Sequence, residues 1–89
     1  MSERTRAFLL EVLADDLNLD LTEAQLRDEL PLGSAGLGME SLNYVELAMQ
    51  SERRLGVPVP DGDLDRIASF TVGELVEYLD GRLRERENA

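Results

Sequence analysis

The chain has 89 residues, 19 acidic against 9 basic, and a formal net charge of −10, the size of one domain with a modest core and no deep cavity. Every base is an arginine; so acidic a chain repels phosphate backbones, which disfavours nucleic acid, and attracts basic protein surfaces. Cysteine and histidine are absent, which excludes a disulfide framework, a thiolate nucleophile, a Cys-ligated zinc and any Ser-His-Asp triad.

Apolar residues make up 43% of the chain, but two Tyr, two Phe and no Trp leave the core to Leu, Val and Ala. Phe8, Leu9, Val12, Leu13 and Leu17 recur at helical spacing, with Ser2 placed as a cap and Asn18 as a stop. A first helix is predicted from about Glu3 to Leu17. Ala7–Leu13 is apolar but broken by Glu11, too short for a membrane span or signal peptide. The expectation is a cytoplasmic protein with little chemistry of its own.

Residues 18–40 form a long connection whose Leu19, Leu21, Leu26, Leu30, Leu32 and Leu37 follow no single period. Thr22 with Gln25 predicts a capping box and a short helical turn over Glu23–Asp28. Pro31 and then Gly33, Gly36 and Gly38 end it. So long a connection in a small domain carries function or packs its own leucines. Here the leucines point to packing, and the glycines mark the functional end.

A second helix is predicted from Ser41 to Leu55. Tyr44, Leu47, Ala48, Ser51 and Leu55 share one face, and Leu42, Val45 and Met49 another. Gly56 suits a left-handed cap, and Pro58 and Pro60 prevent continuation. Asp61–Ala68 reads as a short helix with Leu64 and Ile67 inward. Its acidic start resembles a calcium loop, but Arg66 and Val72 stand where such a loop needs Gly and Glu. Thr71 and Glu74 form a capping box for a last helix over about 72–86, whose apolar face is Leu75, Val76 and Leu79. No strand pattern or repeat is present. The expected fold is all-α: a small antiparallel helical bundle of three main helices plus one short helix, a single domain over 1–89.

The segment Leu37-Gly38-Met39-Glu40-Ser41-Leu42, between a glycine-rich loop and an amphipathic helix, resembles the phosphopantetheine attachment site of acyl carrier and peptidyl carrier proteins. Their usual form is L-G-x-D-S-L. The resemblance continues through Val45-Glu46-Leu47, through Gly56–Asp61, and again at Phe70-Thr71-Val72-Gly73-Glu74-Leu75-Val76. It implies that Ser41 receives 4′-phosphopantetheine from coenzyme A, with Gly38 and Glu40 beside it, and that the arm's thiol holds a thioester. It also implies a partner face on the second helix, comprising Leu42, Val45, Glu46, Met49 and Arg53. The partners it implies are a phosphopantetheinyl transferase and acyl-loading and acyl-accepting biosynthetic enzymes; charge and apolar pattern lead to the expectation of no nucleic acid and no membrane, and a monomer is expected.

The residues support this separately. Ser41 lies at the amino end of a helix, where free N–H groups and the helix dipole favour a phosphodiester. Gly36 and Gly38 remove side chains near it. A serine so placed otherwise serves only as an N-cap.

Three departures stand out. Glu40 replaces the family's Asp, Ser51 occupies an inward position where an aliphatic residue is usual, and Arg53 and Arg54 interrupt the acidic run of the second helix. A hydroxyl at 51 is expected to bond back to the preceding turn of its own helix. The function expected is a discrete carrier of a thioester-bound intermediate, of polyketide or nonribosomal-peptide type. The alternative is a non-catalytic interaction module with the carrier fold and no arm.

Overall fold

The computed structural model describes residues 2–17, 22 and 24–87, with the side chains of residues 2, 16 and 17 left aside. The caps and stops expected at Ser2 and Asn18, and the packing of Leu17, Leu19 and Leu21, therefore lie outside the described residues. Helix α1 spans Ser2–Leu17, α2 Ser41–Gln50, α3 Asp61–Ile67 and α4 Val72–Glu87. Among the described residues no strand forms, and the fold is an all-α bundle. No helix among the described residues is long and apolar enough to cross a membrane.

The core follows the helical periods. Phe8, Leu9, Val12 and Leu13 of α1 meet Tyr44 and Leu47 of α2 and Val72, Leu75, Val76, Leu79 and Leu83 of α4 in one buried cluster. Ile67 is the only buried residue of α3. Leucine and valine dominate as expected, but no described alanine is buried. The described alanines stand at solvent-facing or half-covered positions, and Phe8, Met39, Tyr44 and Ile67 supply the remaining volume.

The second helix does not run as one α-helix to Leu55. Ser51–Leu55 form a π-helical turn, closed by the Gly56 N–H donating to the Ser51 carbonyl. Gly56 is left-handed, at φ 69°, as a helix-ending glycine should be. Ser51 is fully buried, and its hydroxyl donates to the Val57 carbonyl at 2.8 Å. That corrects the expected bond to the preceding turn: the hydroxyl reaches forward across the cap, because the widened turn brings the Val57 carbonyl beneath it. Thr5, also fully buried, donates to Asp80 of α4.

The long connection is pinned in place. Thr22 and Gln25 form the expected reciprocal cap: the Thr22 N–H donates to Gln25 Oε1 at 2.9 Å, and the Gln25 N–H to Thr22 Oγ1 at 3.3 Å. The Gln25 and Leu26 N–H groups both donate to the Thr22 carbonyl, at 3.0 and 3.2 Å, so one turn forms there and goes no further. Leu26 and Leu32 enter the core, with Leu30 and Leu37 packed against it. Leu32 N–H donates to Phe70 O at 3.0 Å, Val72 N–H to Leu30 O at 2.8 Å and Gly73 N–H to Asp28 O at 2.9 Å. These bonds tie the loop to the start of α4.

Gly36 lies where an added β-carbon would sit 2.1 Å from the Pro31 carbonyl oxygen. Its role is therefore close backbone approach inside the loop, not clearance for an incoming enzyme. Gly38 is different: its φ of 76° requires a glycine, and nothing lies within 4 Å of a β-carbon there. Gly38→Ala is expected to cost about 1–2 kcal/mol from the left-handed backbone alone, and Gly36→Ala distinctly more. Urea midpoints with unchanged m-values check this, and equal midpoints would contradict it.

Candidate functional site

The loop bonds deliver the start of α2. The Gly38 N–H donates to Gly33 O at 2.8 Å and the Met39 N–H to Leu32 O at 2.9 Å. Met39 tucks into the core at 8% exposure. The chain then turns outward. Glu40, extended at φ −108° and ψ 171°, is the N-cap residue, and its N–H donates to Asn43 Oδ1 at 2.8 Å.

Ser41 is consequently the first helical residue and not the cap. Its side chain is exposed, and among the described residues no side-chain hydrogen bond engages its hydroxyl. The amides of Ser41 and Leu42 have no partner within the helix by position. They give the site a partial positive charge, strengthened by the helix dipole.

A groove opens from Ser41 between α2 and α3. Its near part, about 240 Å³, is lined by Ser41, Tyr44, Val45, Leu64, Ala68 and the two carboxylates of Asp61 and Asp65. A neighbouring hollow of about 160 Å³ continues past Ala48, Met49, Pro58 and Val59. Burial pushes the Tyr44 phenol above its ordinary value, so it stays neutral at the groove's floor. The wall from α3 was not singled out as part of the site by sequence reasoning. Its signal was the spacing of Asp61, Leu64, Asp65 and Ala68, which places them on one helical face.

The second face of α2 stands free. Leu42 is 71% exposed, Met49 49% and Val45 43%. Glu46 is half-buried beside them and Arg53 exposed. Arg54, expected to break the acidic run of this helix, turns away: it reaches Glu11 at 2.9 Å and Asp15 at 3.5 Å on α1.

On its far side α3 is held to α4. Tyr78 donates its hydroxyl to Asp63 Oδ2 at 2.6 Å, and Arg82 donates to the same oxygen at 3.1 Å. Arg66 of α3 lies 3.6 Å away. The Tyr78 hydroxyl bond, joined by the two arginines, holds the Asp63 carboxyl below its usual value of 3.8 despite partial burial. The residues Asp61–Asp65, weighed as a calcium loop, are helical instead.

Residues 7–79 match the family described as "Phosphopantetheine attachment site". The chain belongs to that family. It is 35% identical to the acyl carrier protein of Thermotoga maritima over 85 residues, covering 93% of this chain and 99% of the relative. It is 33% identical to the acyl carrier protein of Amoebophilus asiaticus (88% and 91% covered) and 31% to that of Clostridium acetobutylicum (84% and 91%). Carriers of this family are not catalysts. A phosphopantetheinyl transferase modifies them, and the covalently attached 4′-phosphopantetheine supplies the thiol that this cysteine-free carrier lacks.

The bonds at Asp63 carry a pH consequence. A lowered folded-state pKa means a contribution fully present above the ordinary carboxylate value and lost as pH falls through the folded value. The stability difference between wild type and Asp63→Asn should therefore be constant from neutrality down to about pH 5 and shrink below pH 3.8. Urea unfolding at a series of pH values reads it; a difference that stays flat into acid would remove Asp63 from the account.

Proposed function

We propose that Ser41 is the residue that takes the 4′-phosphopantetheine, and that the chain carries a thioester-bound biosynthetic intermediate between enzymes. One observation carries this reading: the Ser41 hydroxyl is exposed and unengaged at the first position of α2, while Glu40 takes the capping role. A serine kept for capping would turn its oxygen back onto the helix. The site suits a phosphodiester, since the first amides of α2 point outward to negative charge and the space beside Gly38 is open. When bound, the arm supplies a thiol for thioester exchange. The chain's own residues hold the attachment oxygen outward and offer the α2–α3 groove as cover. The base and metal ion for attachment belong to the transferase.

Leu42, Val45 and Met49 are the apolar anchors for partner enzymes, with Glu46 and Arg53 as the charged flank. An exposed apolar patch edged by polar groups is the expected anatomy of a docking face. Glu40, longer than the aspartate usual in the family, meets the transferase. The carrier works as a monomer in the cytoplasm. A polyketide or nonribosomal-peptide type pathway is favoured over fatty-acid synthesis because α2 and its π-helical extension carry three acids, counted from the Glu40 cap, against two bases and so lack a uniformly acidic face.

Incubation with coenzyme A and a broad-specificity phosphopantetheinyl transferase should add the mass of one phosphopantetheine, and Ser41→Ala should abolish the gain. No gain with several transferases would favour an arm-less interaction module. Met49→Glu should slow acyl transfer to cognate enzymes by about tenfold while the helical circular dichroism is unchanged. Unaltered transfer would place the docking face elsewhere.

A further inference from the structure

The least anchored wall of the groove is α3. It has seven residues and buries only Ile67, and a helix so short has little stability of its own. It follows Pro58 and Pro60, so it is joined to α2 by a segment outside any helix. Leu64, Asp61, Asp65 and Ala68 look into the groove, and Asp63 bonds to α4.

The contacts of α3 with α4 centre on Tyr78, with a second bond from Arg82 to Asp63. Tyr78 donates to Asp63, and its ring is flanked by the Arg66 guanidinium at 5.7 Å and that of Arg82 at 5.0 Å. Phe70, just after α3, meets the same ring at 6.1 Å. Helix α4 buries five side chains in the core and is a fixed post by comparison. The groove beside Ser41 offers about 240 Å³ and the hollow that continues it about 160 Å³. Cover for a chain longer than these two hollows together hold requires α3 to shift.

We propose that Asp63, Tyr78 and Arg82 form a latch that limits how far α3 moves from α2, and so determine which chain lengths the groove beside Ser41 shelters. The restraint on α3 belongs to the unmodified protein; its consequence for cargo rests on Ser41 carrying the arm. These are positioning residues, since none of them lines the groove. Tyr78→Phe keeps the ring and its arginine contacts and removes one of the two α4 bonds to Asp63, leaving that of Arg82 in place. Loss of a hydrogen bond to a charged acceptor is large enough to release so small a helix.

Amide hydrogen exchange is measured on the unmodified wild type, Tyr78→Phe, Asp63→Asn and the double variant. Each single variant should speed exchange of the α3 amides several-fold, Asp63→Asn at least as much as Tyr78→Phe, the double no more than Asp63→Asn alone, and the core amides of α1 and α4 should not change. Uniform acceleration through all helices, no acceleration, or additive effects in the double variant would each overturn the latch. Phosphopantetheine forms loaded with short and long straight-chain acyl groups are then exposed to hydroxylamine. Thioester cleavage should rise with chain length in wild type, and that rise should flatten in Tyr78→Phe. An identical profile in the two proteins overturns the proposal even if exchange is selective. Should no arm attach to Ser41, the carrier reading fails by itself, and exchange alone decides whether α3 is latched.

Discussion

Backbone hydrogen bonds between the long connection and the start of α4 hold the rest of the structure in register. Leu32 to Phe70, Val72 to Leu30 and Gly73 to Asp28 fasten a stretch that has no regular structure of its own. Buried amides and carbonyls must find partners, and here an irregular segment and the unpaired amides of a helix start satisfy each other. The fit is close enough that a β-carbon added at Gly73 would sit 2.9 Å from the Asp28 β-carbon. Once this loop is fastened, Met39 drops into the core, Gly38 reverses the chain, and Ser41 emerges at the head of α2. The exposure of a single hydroxyl is thus set by contacts some distance along the chain.

Helix α2 divides its labour by face. Tyr44 and Leu47 hold it to the core, and Leu42, Val45 and Met49 are left in solvent. The π-helical turn that follows lets one buried hydroxyl occupy a core position without an unsatisfied donor, since Ser51 donates to the Val57 carbonyl. An unpaired hydroxyl at that depth would cost about 1–3 kcal/mol. The same Ser51 residue accepts the closing amides of Gly56 and Val57 on its carbonyl. Its departure from an aliphatic residue is matched by the geometry that ends the helix.

The arginines are used mainly inside the molecule. Arg54 bridges to α1, Arg6 reaches Asp28 and the Leu26 carbonyl, and Arg66 and Arg82 gather around Asp63 and Tyr78. Exposed pairs of this kind add little stability one by one. Their larger effect is on the field: with these bases engaged, the remaining carboxylates leave the surface negative. That surface suits encounter with basic partner enzymes. Asp61 and Asp65 extend it along the groove wall.

What could be read in one dimension was local. The period of Phe8, Leu9, Val12 and Leu13, the two faces of α2, the Thr71–Glu74 cap and the glycine at 56 are each short-range patterns with one physical meaning. So is the block around Ser41, whose order of residue types marks the family. Tertiary structure alone decided the rest. A glycine kept for space and one kept for a positive φ look identical in sequence, so Gly36 and Gly38 could be told apart only by what surrounds them. Whether Ser41 caps its helix depended on where Glu40 and Asn43 fell. The turn of Arg54 toward α1 and the meeting of Asp63 with Tyr78 join residues distant in sequence, and the forward bond of Ser51 crosses the end of a helix. Their side chains come together through packing, which no periodicity encodes.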